Sequence, residues 1–130
     1  MTEETFISIN LSTNKPDEIK GLFANVESTA SHPEQIEIVI HIDKGDTDTK
    51  QAILSYKKSS KLTIKYLETD LVHSFADLWK VYNHLLALNS RDSYFVTLFS
   101  DEFRFKTKGW HDLLAKYKHY YKDDIFRVRA

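Results

Sequence analysis

Apolar residues along this chain switch several times between the two-residue repeat of strands and the 3.6-residue repeat of helices. Phe6-Ile7-Ser8-Ile9-Asn10-Leu11 predicts a first strand, with Ile7, Ile9 and Leu11 on one face and Ser8 and Asn10 on the other. Those two polar residues sit uneasily in a parallel sheet, whose central strands are usually apolar on both faces. After the loop Ser12-Thr13-Asn14-Lys15, Pro16 with Asp17 and Glu18 makes a good first helical turn. Proline gives up only a donor that a helix start leaves unused, and the acids suit the helix dipole. Ile19, Leu22, Phe23 and Val26 continue at helical spacing until Ser31-His32-Pro33.

Ile36-Glu37-Ile38-Val39-Ile40-His41-Ile42 predicts a buried second strand that stops at Asp43, because β-branched residues suit a pleated surface. A turn-rich stretch from Asp43 to Thr49 leads into a short helix carrying Ala52, Ile53 and Tyr56, and Leu62, Ile64 and Tyr66 mark a third strand. Ser74 and Asp77 resemble a capping box ahead of Phe75, Leu78, Trp79, Tyr82, Leu85 and Leu86, the clearest amphipathic helix in the chain. Tyr94-Phe95-Val96-Thr97-Leu98-Phe99 is the most continuously apolar segment and is expected near the sheet centre, ending abruptly in Ser100-Asp101-Glu102. A last helix is predicted from about 109 to 121, with Trp110, Leu113, Leu114 and Tyr117 as its apolar stripe, and a further strand begins at Phe126. Alternating strand and helix periods predict an α/β fold, a mainly parallel sheet with helices on both faces, in a single Rossmann-like domain.

Charge narrows the partners. With 18 basic and 19 acidic residues the net charge is -1, which lacks the basic footprint that nucleic acid binding requires. No apolar run approaches the roughly 20 residues of a membrane span, and the acidic start lacks the apolar core of a signal peptide, so a cytoplasmic location is the expectation. The chain has no cysteine, which excludes disulfides and thiolate metal sites and leaves the redox compartment open.

In an open α/β sheet the ligand crevice lies beyond the carboxyl ends of the strands. Three polar clusters fall there: Ser12-Thr13-Asn14 after the first strand, Asp43 with Asp46 and Asp48 after the second, and Ser100-Asp101-Glu102 after the fourth. Acids brought together from separate strand ends repel unless a cation or a donor stands between them. Mg²⁺ or Mn²⁺ suits such carboxylates and commonly bridges substrate phosphates, so a diphosphate ligand is the expectation. An aspartate there also suits a base N–H or a ribose hydroxyl. Asp46, Thr47 and Asp48 read as helix caps, and Asp43 is open between site and turn. Asp101 and Glu102 read as site residues, against a solvated turn in which Arg104 and Lys106 offset them as surface pairs. The six histidines lack metal-ligand spacing, and only His41 and His73 fall near the rim. Trp79, Tyr82 and Trp110 sit at packing positions, and the cluster of Tyr117, His119, Tyr120 and Tyr121 reads as helix surface and core.

These segments together resemble the family 2 GT-A glycosyltransferases. Ile7-Ser8-Ile9-Asn10-Leu11-Ser12-Thr13-Asn14-Lys15-Pro16 resembles the family's opening strand and its Pro-Thr-x-Asn-Arg-Pro loop, with Ser12 in place of the first proline. Ile38-Val39-Ile40-His41-Ile42-Asp43-Lys44-Gly45-Asp46-Thr47-Asp48 is similar to Val-Asp-Asp-Gly-Ser-Thr-Asp, with Lys44 in place of the second acid. Leu78-Trp79-Lys80-Val81-Tyr82-Asn83 is similar to the helix that often ends its motif in asparagine. The most specific match, Leu98-Phe99-Ser100-Asp101-Glu102-Phe103-Arg104-Phe105-Lys106-Thr107-Lys108-Gly109-Trp110, resembles the Asp-Asp-Val-x-Phe-x-Thr-x-Gly-Trp form of the metal-binding segment.

The resemblance implies a GT-A fold. It further implies that Thr13 and Asp43 contact the base, Asp101 the ribose or the metal, and Glu102 the metal that holds the diphosphate, with Ser12 and Asn14 completing the nucleotide loop. The implied reaction is metal-dependent transfer of a sugar, with inversion, from a nucleoside diphosphate sugar to an unknown acceptor. Family members carry their acceptor half and general base beyond the strand at Phe126, so the chain is expected to be an incomplete donor domain whose Phe126 edge invites a second copy. The alternative is a non-catalytic module binding nucleotide-sugar or protein. A dinucleotide oxidoreductase is disfavoured because no Gly-x-Gly-x-x-Gly follows the first strand, and a phosphoacceptor receiver because that strand ends without paired acids.

Overall fold

The computed structural model describes residues 7–69, 78–89, 93, 95–110 and 112. His73, the Ser74–Asp77 box, Phe75, Tyr94, the residues from 113 to 121, the Phe126 strand and the side chains of Leu78, Trp79 and Tyr82 lie outside what it describes. The elements run β1 (Ile7–Ser12), α1 (Pro16–Thr29), a short 3₁₀ turn (Pro33–Gln35), β2 (Ile36–Asp43), α2 (Thr47–Lys57), β3 (Thr63–Thr69), α3 (Leu78–Leu88) and β4 (Phe95–Leu98). The strands form one sheet in the order β3-β2-β1-β4, with every pairing parallel. The fold is therefore α/β and parallel, with a strand order compatible with a Rossmann-like arrangement.

One face of the sheet carries the main core. Ile7, Ile9, Leu11, Ile36, Ile38, Ile40, Ile42 and Ile64 meet Ile19, Leu22, Phe23 and Val26 of α1 and Ala52 and Ile53 of α2, all of them buried. Each such Ile, Leu, Val or Phe side chain contributes roughly 1.5–3 kcal/mol by leaving water. α1 and α2 are tied to each other by Glu27, whose carboxylate accepts from the Tyr56 hydroxyl at 2.6 Å, the Lys61 N–H at 2.8 Å and the Ser60 hydroxyl at 3.2 Å. α3 covers the opposite face, packing Val81 and Leu85 on Val39. Helices thus lie on both faces. Leu86, expected in the α3 stripe, is instead exposed, and Val81 takes the inward place.

One expectation about the sheet is corrected. The apolar run around 94–99, expected near the centre, forms the end strand among the described residues, with Val96 and Leu98 46% and 55% exposed. Its apolar character serves one face, where Phe95 and Phe99 pack against the main core. The inner strands are β2, between β3 and β1, and β1, between β2 and β4, and the second face of β1 is polar. Ser8 and Asn10 are fully buried there. Ser8 is accommodated because its hydroxyl donates to the buried Glu37 carboxylate at 2.5 Å, and Glu37 is in turn paired with Lys65 at 2.5 Å. Lys65 also donates to the Leu88 carbonyl at 3.0 Å, a cation at the carboxyl end of α3 where the helix dipole favours it.

The segment after β4 lies along α1. Phe105 exchanges two hydrogen bonds with the Asn25 side chain, at 2.6 and 2.9 Å, and the Gly109 N–H donates to the Thr29 carbonyl at 2.7 Å. Gly109 has φ +79, a left-handed turn that lets Trp110 fold back. Trp110 is buried, stacks on Phe105 at 3.8 Å and donates its indole N–H to the Thr29 hydroxyl, as its packing position predicted.

Candidate functional site

In an open α/β sheet, strand order decides which strand ends flank a ligand crevice. The chain steps from β1 to β2 to β3 on one side and then returns to place β4 on the other side of β1. The direction of winding reverses between β1 and β4, and in open α/β sheets ligands sit outside the carboxyl ends of the strands at such a point. The loops that follow β1 and β4 carry Ser12-Thr13-Asn14 and Ser100-Asp101-Glu102, two of the three clusters singled out above.

The two loops touch directly. Thr13, only 5% exposed, donates its hydroxyl to Asp101 Oδ2 at 2.7 Å. Its own N–H donates to the His41 carbonyl at the end of β2, at 3.0 Å, so Thr13 joins three strand ends. Its Oγ1 also accepts from the Lys15 N–H at 3.2 Å, which sets the turn into α1. Lys15 then reaches across the mouth to Glu102, Nζ to Oε1 at 2.9 Å. Hydrogen bonding and attraction from Lys15 hold the Glu102 carboxyl below the ordinary carboxylate range, and the same contact raises the lysine. Both side chains are largely exposed, so the pair orients the carboxylate more than it stabilises the fold.

Ser12 is used differently. Its hydroxyl lies 3.0 Å from His41 Nδ1, while His41 Nε2 lies 2.7 Å from the Thr69 hydroxyl. The ring is fully buried, and burial holds it below the ordinary imidazole value against the opposing pull of Asp43 and Thr69. Hydroxyls donate or accept as needed, so either neutral tautomer is satisfied, and His41 is a structural link between three strand ends. Asn14 is exposed on the loop.

Asp43 ends β2 half-buried, and its carbonyl accepts the Asp46 N–H at 3.0 Å. Because β1 separates β2 from β4, the tips bearing Asp43 and Asp101 stand two strand spacings apart, roughly 9–10 Å between backbones. Among the described residues no group of three or more acids or histidines is close enough to hold a metal. Asp101 and Glu102, the two acids expected to hold a metal, are engaged by Thr13 and by Lys15. Asp46 is a helix cap, as expected, accepting from the Thr49 N–H at 3.2 Å and from the Thr49 hydroxyl at 2.7 Å.

Lys15 was not expected as a partner of this site. Arg104, expected to offset Asp101 and Glu102 on the surface, forms its ion pair with Glu18 of α1 at 3.0 Å and reaches Asp101 only through the main-chain carbonyl, at 2.8 Å. No helix among the described residues is long and apolar enough to cross a membrane. In comparison with known proteins, the sequence matches no protein-family model and no curated protein.

Proposed function

We propose that this chain binds a nucleoside diphosphate sugar across the β1–β4 mouth, with Mg²⁺ or Mn²⁺, and that it belongs to a glycosyltransferase of GT-A type acting on an acceptor still to be identified. The observation that carries this reading is the 2.7 Å hydrogen bond from Thr13 to Asp101 at the reversal point of the sheet. It joins the loop after β1 to the segment with the most specific resemblance to the family, and it does so where an α/β sheet binds ligands.

Each residue has a task in this proposal. Asp43, two strand spacings from Asp101, accepts a base N–H or ribose hydroxyl at the far end of an extended ligand. Thr13 holds the Asp101 carboxylate in one orientation, and Asp101 and Glu102 present oxygens to the cation. Lys15 is already paired with Glu102 and Arg104 with Glu18, so a diphosphate needs added positive charge beside the carboxylates of Asp43 and Asp101. A divalent ion supplies it and offsets charge on the departing diphosphate. The rest of the protein's contribution is positioning.

Calorimetric titration with UDP- and GDP-sugars, with and without Mn²⁺, tests the reading. Metal-dependent binding that Asp101→Ala abolishes supports it, and absence of binding under all four conditions contradicts it. Binding without sugar transfer to any acceptor identifies a nucleotide-sugar-binding module.

A further inference from the structure

We propose that Arg104 is a positioning residue for the site, clipping the Asp101–Glu102 turn onto α1 through a notch that Gly21 leaves open; this rests on the nucleotide-binding reading. The guanidinium donates from Nη1 to the carbonyls of Asp101 at 2.8 Å and Phe103 at 2.7 Å. From Nη2 it donates to the carbonyl and the carboxylate of Glu18, both at 3.0 Å. A planar fork of donors satisfies acceptors from the turn and the helix at once, and a lysine ammonium does not reproduce that geometry.

Gly21 is the independent observation. It sits inside α1, where glycine is among the least favourable residues. A Cβ at this position would stand 2.5 Å from Arg104 Nη2 and 3.3 Å from Cζ. Any larger residue therefore displaces the guanidinium, which is the flexible end of its side chain and yields before the helix does. The clip closes on the turn bearing the proposed ligands: the Phe103 N–H returns to the Ser100 carbonyl at 3.1 Å, and between them Asp101 meets Thr13 and Glu102 meets Lys15. Holding that turn before the ligand arrives spares the ordering cost at binding.

The two ends of the clip give variants that differ in helix stability and agree in function. Gly21→Ala improves the helix propensity and displaces the guanidinium, whereas Arg104→Ala leaves the helix sequence unchanged and removes the guanidinium with its bonds to Glu18. Amide hydrogen exchange at Phe103 without ligand, thermal midpoint, and calorimetric titration of UDP with Mn²⁺ are measured on wild type, both single variants and the double variant. Both single variants are expected to speed Phe103 exchange and to weaken UDP–Mn²⁺ binding by about tenfold or more, the scale of a lost charge-assisted hydrogen bond. In the Arg104→Ala background, Gly21→Ala is expected to raise the midpoint and leave exchange and binding unchanged. Phe103 exchange unaltered in Gly21→Ala overturns the clip itself. Faster exchange in both variants while wild type fails to bind UDP–Mn²⁺ overturns the nucleotide reading and the positioning role with it.

Discussion

The hydroxyl of Thr13 donates to the Asp101 carboxylate at 2.7 Å, and this contact joins the loops that follow β1 and β4. Thr13→Val keeps the shape and removes the donor, leaving a half-buried carboxylate short of a partner. The variant is expected to lose about 1–3 kcal/mol of stability and to bind nucleotide more weakly, whereas Thr13→Ser keeps both. Urea denaturation and calorimetry on the three proteins check this.

His41 makes stability depend on pH. Its folded-state pKa lies below the ordinary 6.5 because the ring is buried. An unfolded chain therefore takes up the proton first as pH falls, so the His41 contribution is complete above about pH 6.5 and is lost as pH falls through the depressed folded value. His41→Gln is expected to be less stable at pH 8 but to show a flatter decline between pH 6.5 and 5. Chemical denaturation of both proteins across that range isolates His41, since the other histidines are common to both.

Asn10 carries a cost. It is fully buried in the central strand, and neither amide atom has a hydrogen-bond partner among the described residues. Its register neighbours are Val39 on β2 and Leu98 on β4, both apolar. Asn10→Leu, similar in size, is expected to raise stability by about 1–3 kcal/mol by removing an unmet desolvation penalty. A lower urea midpoint in the variant contradicts this.

Most of the fold was legible because it rests on local pattern. Pro16 with Asp17 and Glu18 started α1, and the β-branched run from Ile36 formed β2 as expected. Strand order was not legible, because periodicity describes one strand's faces and says nothing about its neighbours. Ser8 looked wrong for a central strand only while its partner Glu37, itself matched to Lys65 of β3, was unknown. The site divides along the same line. The rim rule pointed to Thr13 and Asp101, since a residue's place at a strand end follows from local pattern. Lys15 on Glu102 and Arg104 over Gly21 depend on how distant segments dock, and neither leaves a local signature. Asp43 falls on the right rim but two strands from Asp101, a separation set by β1 lying between them.

Backbone ¹⁵N–¹H spectra recorded while UDP and Mg²⁺ are added test the central claim most directly, because they locate the ligand on the fold without requiring activity. The account predicts shifts concentrated at Thr13, Asp43, Lys44, Asp101 and Glu102, little change at Ile7 and Ile36 at the amino-terminal ends of β1 and β2, and loss of the effect in Asp101→Asn. Unchanged spectra at millimolar UDP and Mg²⁺, or shifts gathered away from the β1–β4 mouth, would contradict it.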